Sequence, residues 1–252
     1  MTDAELTARL RDNLRGYKAL QAHGGPLRML DLPGVCAFAL PLPGAPLFQQ
    51  QVLYAEAHAL AEALMPLEAW YRELGVQAWR VNVYPGDATA EAVLARAGHR
   101  PEGSSPAMSI ALSHLPPQLP PGTTLEHPEG LEDVMKLNGL CYGQEHVGYF
   151  ETWRPQLSTQ LHAVLVRQGG RALAGGVSFE QGDTAGIYLV ATHPEARRRG
   201  LGALVMQALH ADARARGCGV AVLQSSLLGY DLYQSLGYRD LGAWTSWVRR
   251  AS

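Results

Sequence analysis

The stretch Val190-Ala191-Thr192-His193-Pro194-Glu195-Ala196-Arg197-Arg198-Arg199-Gly200-Leu201-Gly202-Ala203 decides how the rest of the chain is read. An apolar run of strand character ends at Ala191, a short loop follows, and two glycines stand where a helix begins. Leu201, Leu204, Val205 and Leu209 recur at helical spacing, and Gly217 supplies the stop. Such a junction aims unpaired backbone N–H groups and the positive end of a helix dipole at one spot. Glycine lets the backbone approach closely, so the place suits a pyrophosphate. Other phosphate motifs fit poorly. A P-loop needs Gly-Lys-Ser/Thr after the glycines, and a dinucleotide fingerprint needs a third small residue where Val205 stands.

Around this junction the spacing predicts a strand over 123–127, a helix over 131–140, a second helix over 150–161 and strands over 162–167, 172–180 and 185–191. Gly169-Gly170 and Gln181-Gly182-Asp183-Thr184 mark the hairpin turns. A strand over 220–224, a helix over 228–236 and a strand over 244–249 follow. Three antiparallel strands, a helix and a crossover strand give a mixed sheet in an α/β fold. Upstream, His114 to Gly122 holds four of the sixteen prolines and reads as a stiff linker. It predicts two domains, 1–115 and 123–252, joined by residues 116–122.

Composition narrows the function. The 252 residues are 47% hydrophobic, and 23 acids against 21 bases leave a net charge of −2. Nothing in that balance favours nucleic acid or a lipid surface. The only lysines are Lys18 and Lys136; arginine supplies the other bases. The most apolar stretch, 35–48, is broken by Pro41, Pro43 and Pro46 and is too short to span a bilayer, and Asp3 and Glu5 stand where a signal peptide carries bases. Cys36, Cys141 and Cys218 form no Cys-x-x-Cys and read as free thiols, so a cytoplasmic protein without a metal centre is expected.

With these residues in hand, the chain resembles the GCN5-related N-acetyltransferases (GNAT). Their acetyl-CoA signature, Arg/Gln-x-x-Gly-x-Gly/Ala after a strand, matches Arg197-x-x-Gly200-x-Gly202. A second element, Leu-Tyr-x-x-x-Gly-Phe, matches Leu232-Tyr233-Gln234-Ser235-Leu236-Gly237-Tyr238, with tyrosine ending the motif. The resemblance covers Thr123 to Arg249. Ser226 and Gly229 depart from it, standing where the family often has asparagine and alanine. It implies that strands 186–191 and 220–224 splay apart and that pantetheine pairs with the backbone of Leu189, Val190 and Ala191. It implies further that the pyrophosphate sits on the amides of Arg198, Arg199, Gly200, Leu201, Gly202 and Ala203, with Tyr233 near the thioester sulfur.

The implied reaction is direct attack of an amine on acetyl-CoA, the acceptor being a small molecule or a peptide. An unperturbed phenol is a weaker acid than a thiol by roughly 1.5 units, about 2 kcal/mol, so Tyr233 can stabilise the departing thiolate by hydrogen bonding as well as by protonation. The strand that often carries a glutamate base in this family has no acid here. Glu180 pairs with position 185 if 181–184 is the turn, which puts it too far along the strand. Glu145 and His146 lie where the family builds its acceptor site, although such a pair also suits a solvated loop. Tyr188 is expected to share a strand face with Val190 and to be able to hold a water, and His193 to be a cap or a surface residue.

The first half echoes the second. A helix over 54–74 stops at Gly75, and a strand over 78–84, a helix over 89–97, Gly98-His99 and a strand over 108–112 follow. Aligning Gly98 with Gly237 places Leu94 at the Tyr233 position, Val93 at Leu232 and Asp87 at Ser226. The loop ahead of that helix, Leu42 to Leu47, has no arginine and no Gly-x-Gly, and its prolines remove backbone donors. The first half then reads as a degenerate copy that shapes the acceptor pocket. A monomer with an internal pseudo-dimer, or a homodimer, is expected. The rival readings are a non-catalytic acyl-CoA-binding sensor or interaction module, and an acetyltransferase acting on protein N-termini or lysines.

Overall fold

The structure, a computed structural model, describes residues 1–23, 25–113, 119–142 and 160–250. The elements run α1 (Asp3–His23), β1 (Arg28–Leu32), β2 (Val35–Ala39), a 3-10 turn (Leu47–Gln49), β3 (Gln51–Tyr54), α2 (Ala57–Glu73), β4 (Ala78–Val83), α3 (Ala88–Arg96) and β5 (Arg100–Ala111). They continue β6 (Thr124–Glu126), α4 (Glu132–Tyr142), β7 (Leu161–Gln168), β8 (Arg171–Gln181), β9 (Thr184–Thr192), a 3-10 turn (Pro194–Ala196), α5 (Leu201–Ala215), β10 (Val220–Gln224), α6 (Tyr230–Ser235) and β11 (Arg239–Arg250). The helix expected over 150–161 falls outside the described residues up to 159, and Leu161 already belongs to β7. Residues 116–118 of the expected linker also lie outside them.

The eleven strands of the described residues form one mixed sheet, in the order β1-β2-β3-β4-β11-β5-β10-β9-β8-β7-β6. The order has a consequence that local pattern does not reveal. The last strand of each half completes the sheet of the other: β5 pairs antiparallel with β10, and β11 with β4. β5 and β11 then pair with each other at the centre.

Three apolar clusters hold the layers. On one face of the second-half strands, Leu201, Leu204, Val205 and Leu209 of α5 pack with Ile187, Ala221 and Leu223. In the first half, α2 and α3 bury Leu60, Leu67 and Leu94 against Val52 and Val81. The third cluster joins the halves. Leu6, Leu10, Leu14 and Tyr17 of α1 pack with Phe38 and Leu53 from the first half and with Val177 and Phe179 from the second. Asn13 of α1 donates from its Nδ2 to the carbonyl of Phe179 at 3.1 Å. A helix from the start of the chain therefore covers strands from its end.

The first half departs from the sequence reading in several places: α1, β1, β2 and β3 are elements that reading did not place, and β5 starts at Arg100, ahead of the expected 108. Tyr54 belongs to β3, and α2 begins only at Ala57. Gln51 to Tyr54 runs into the helix with no breaker, so its strand character is hidden. The segment Leu42 to Leu47 precedes β3, and the connection into α2 is Ala55-Glu56 alone.

The exchange of strands makes a prediction. Residues 123–252 expressed alone lose α1 and β5, exposing one edge of β10 and an apolar sheet face. That fragment is expected to elute as dimers or aggregates in size-exclusion chromatography. A monodisperse fragment with the thermal stability of the full chain would contradict the joint core.

Candidate functional site

β9 and β10 run parallel but pair over only three positions, Val220 with Thr184, Ala221 with Ala185 and Val222 with Gly186. Beyond Gly186 they separate. On its other side β9 stays paired with β8, but the register shifts between Gly175 and Val177, so that Gly176 faces both Leu189 and Val190. This is a β-bulge, and Leu189 takes φ +54° in it, a conformation costly for a branched side chain. A Cβ on Gly176 would stand 3.1 to 3.2 Å from Val190, Val205 and Leu209, so any side chain there would press all three apart where α5 meets the bulge.

The bulge corrects one expectation. Tyr188 and Leu189 both pack towards the α1 face, whereas Val190 packs towards α5. Tyr188 therefore does not share a face with Val190. Its ring stacks on Tyr17 with centroids 3.9 Å apart, and its hydroxyl donates to Asn13 Oδ1 at 2.8 Å.

After β9, the His193 ring accepts the Glu195 N–H at 3.3 Å and caps the Pro194–Ala196 turn. Arg198 at φ +62° and Gly200 at φ +76° curl the chain into α5. The first helical hydrogen bond runs from Leu204 N–H to the Gly200 carbonyl at 3.0 Å. The N–H groups of Leu201, Gly202 and Ala203 precede it and need other acceptors. A Cβ on Gly202 would meet Leu232 at 3.2 Å, which ties this glycine to the approach of α6.

Val190, Ala191, Arg197, Arg198, Gly200, Leu201, Gly202, Ala203, Ser226 and Tyr233 line one cavity of about 620 Å³. Arg199 and Leu189 do not: the Arg199 guanidinium donates to Gln168 Oε1 at 2.8 Å, and Leu189 lines a second cavity of about 340 Å³. The two cavities share Tyr142, Val190, Ser226 and Tyr233. Tyr233 is buried, and burial, aided by the nearby Tyr142 phenol, raises its pKa above the usual tyrosine value. A Cβ on Gly229 would come within 3.0 Å of the Tyr233 ring, so glycine in place of alanine gives that ring its room. Ser226 Oγ accepts the Gly229 N–H at 3.2 Å and holds the turn into α6.

Sequence reading missed the end of α4. Cys141 Sγ donates to the Thr192 carbonyl at 3.2 Å and the Tyr142 hydroxyl to the Val190 carbonyl at 3.3 Å. Glu145 and His146 lie outside the described residues. Glu180 pairs in register with Ala185, away from both cavities, and its buried carboxylate accepts Arg216 in a fork at 2.9 and 2.6 Å.

In the first half, β3 and β4 repeat the parallel pairing over two positions, Gln51 with Arg80 and Val52 with Val81. Here the chain fills the gap itself. The Tyr84 hydroxyl donates to the Tyr54 carbonyl at 2.8 Å and accepts the Tyr54 N–H at 3.3 Å, while the Tyr54 hydroxyl donates to Asp87 at 2.7 Å. Leu94 is fully buried in the core.

Residues 131–238 match the model of the Acetyltransferase (GNAT) family. Over that stretch, in the second half, the chain carries GNAT-like sequence. Solved structures extend the likeness of fold over both halves. A GCN5-related N-acetyltransferase from Kribbella flavida is 20% identical, with a TM-score of 0.65 over 93% of each chain. A GCN5-related N-acetyltransferase from Sphaerobacter thermophilus is 18% identical, with a TM-score of 0.61 over 86% of this chain and 76% of that one. A tandem GNAT protein from the clavulanic acid biosynthesis pathway is 14% identical, with a TM-score of 0.58 over 97% and 96%. Among curated proteins none matches the chain.

If the glycine loop receives the pyrophosphate, bulk at Gly202 should exclude it. Gly202→Val is expected to weaken acetyl-CoA binding by about 30-fold or more, and Gly202→Ala by less, because a single methyl needs only a small shift of Leu232. Isothermal calorimetry of the wild type should give one site per chain. Equal affinities across the series, with circular dichroism showing intact folds, would remove the loop from the binding site.

Proposed function

We propose that this protein is a GNAT acetyltransferase that transfers the acetyl group of acetyl-CoA to a primary amine of a small molecule or peptide. The observation that carries this is the meeting of two cavities at Tyr233: one leads to the glycine loop and the N-terminus of α5, the other is walled by both halves of the chain. A sensor that only binds acyl-CoA has no use for the second cavity. At about 340 Å³ it is the size of a site for a small molecule, which favours a metabolite over a folded protein as acceptor.

In this reading the pantetheine arm fills the gap beside β9 and pairs with the backbone of Leu189, Val190 and Ala191. Tyr142 and Cys141 give up carbonyls of β9 as it enters. The pyrophosphate takes the free N–H groups at the start of α5, with Arg197 and Arg198 beside them. An amine from the second cavity attacks the thioester carbonyl, while the thiolate departs beside Tyr233. Burial raises the phenol pKa further above that of a thiol, so Tyr233 keeps its proton and acts as a hydrogen-bond donor to the sulfur. Glu145 and His146 are the candidates for taking the ammonium proton. Cys36, Cys141 and Cys218 are free, in keeping with a reducing cytoplasm. Among the described residues no helix is long and apolar enough to cross a membrane.

Tyr233→Phe tests the assignment. It should lower kcat by about 10- to 100-fold and leave the acetyl-CoA Kd within about twofold. An unchanged kcat, with chemistry rate-limiting by single-turnover kinetics, would reduce Tyr233 to a packing residue.

A further inference from the structure

The second cavity is lined by two sets of residues. Tyr142, Val190, Ser226 and Tyr233 are shared with the cofactor cavity. Lys18 of α1 and Arg80 of β4 line the second cavity alone. Both are basic side chains, and neither has a carboxylate partner among the described residues. Lys18 is 4% exposed, donates to Gln49 Oε1 and lies 5.4 Å from the centre of the Phe48 ring. Arg80 donates to Ser246 Oγ at 3.1 Å and to Gln51 Oε1 at 3.2 Å, and its buried Nε meets no acceptor among the described residues. Among the described residues no aspartate or glutamate lines the cavity.

Elsewhere Arg9, Arg15, Arg167, Arg216, Arg249 and Arg250 each have a carboxylate partner, and arginines without one, such as Arg28, Arg72, Arg96 and Arg100, are exposed to water. Burying a cation without one is costly, and two beside each other repel. The strain registers in both groups: burial, then repulsion by Arg80, depresses the Lys18 pKa well below the usual lysine value, and burial lowers Arg80 to about 10. An anion placed between them would relieve both costs. The remaining polar wall consists largely of neutral amides, including Gln49, Gln51, Asn138 and Gln224, which supply no countercharge.

We propose that the acceptor is an amine carrying a carboxylate, and that Lys18 and Arg80 select it by binding that carboxylate while the amine lies towards Tyr233. The proposal rests on the acetyltransferase reading for the identity of the cavity. Lys18 and Arg80 are positioning residues here and touch no reacting atom.

Acetyl transfer by the full chain should be measured over matched sets: amino acids, their carboxamides, their decarboxylated amines and their aminophosphonate analogues. The acids should exceed the amides by about 100-fold or more in kcat/KM, because the amides leave the cations unmatched. Lys18→Met should cut the acid-over-amide ratio by about 30-fold, mainly through KM, with acetyl-CoA affinity intact and thermal stability equal or higher. Amides accepted as well as acids, or an unchanged ratio in the variant, would overturn the proposal. A preference for phosphonates would keep an anion site and overturn the carboxylate. The two readings fail separately. With only two lysines in the chain, protein labelled with carbon-13 at the lysine ε-position should give a Lys18 signal distinct from that of Lys136. A shift of that signal on adding amino acids and not their amides supports the anion site even if no amine is acetylated. No shift with any acid would overturn it, even if amines are acetylated.

Discussion

The separation of β9 from β10 is the constraint on which the rest of the structure depends. A parallel pair that ends after three residues leaves a row of N–H and C=O groups facing a gap, and each such group left unmet in a buried place costs about 1–3 kcal/mol. The bulge at Leu189 bends β9 away and is itself possible because Gly176 admits α5 closely. Side chains from α4 meet two of the carbonyls, through Cys141 and Tyr142. These are single bonds from a helix end, easily exchanged for those of a ligand that brings its own amides. The loop from Arg197 to Gly202 then lies at the mouth of the gap, where the start of α5 offers further unmet donors.

The first half meets the same constraint without a ligand. β3 and β4 part after two positions, and the Tyr84 hydroxyl both gives and takes a hydrogen bond with the backbone of Tyr54. A side chain thus does for β3 what pantetheine is proposed to do for β9. Two residues join β3 to α2, against eight between Thr192 and Leu201, so no anion-binding loop can form there. The repeated order of elements and the filled gap together support the proposal of a degenerate copy.

Much of the second half was legible because glycine and periodicity mark it so clearly. Gly182-Asp183 set the β8–β9 hairpin and hence the pairing of Glu180 with Ala185; Gly217 ended α5. The bulge was not legible. Residues 185 to 191 read as an uninterrupted strand, and a leucine at positive φ has no signature in sequence, so the face of Tyr188 came out inverted. β3 was hidden for a different reason: no breaker separates it from the helix after it, and its last residue, Tyr54, was read as the start of that helix. The α1 stripe of Leu6, Leu10, Leu14 and Tyr17 was available at helical spacing, with Lys18 one residue on. What no local pattern could supply is the exchange of β5 and β11, since either strand would pair equally well within its own half.

That exchange decides where the second cavity gets its walls. β11 lies between β4 and β5, so Arg80 can reach Ser246, while α1 crosses from the first half to lay Lys18 beneath β9. The basic part of the cavity lining is thus built from segments more than a hundred residues away in sequence from the glycine loop, and it shares no side chain with that loop. Substitutions around Lys18, Gln49 and Arg80 can alter what the cavity admits without disturbing the backbone geometry of β9 and α5. In the first half the Tyr84 hydroxyl meets the backbone of Tyr54 within its own sheet, while Lys18, Gln49, Gln51 and Arg80 line the cavity shared with the other half.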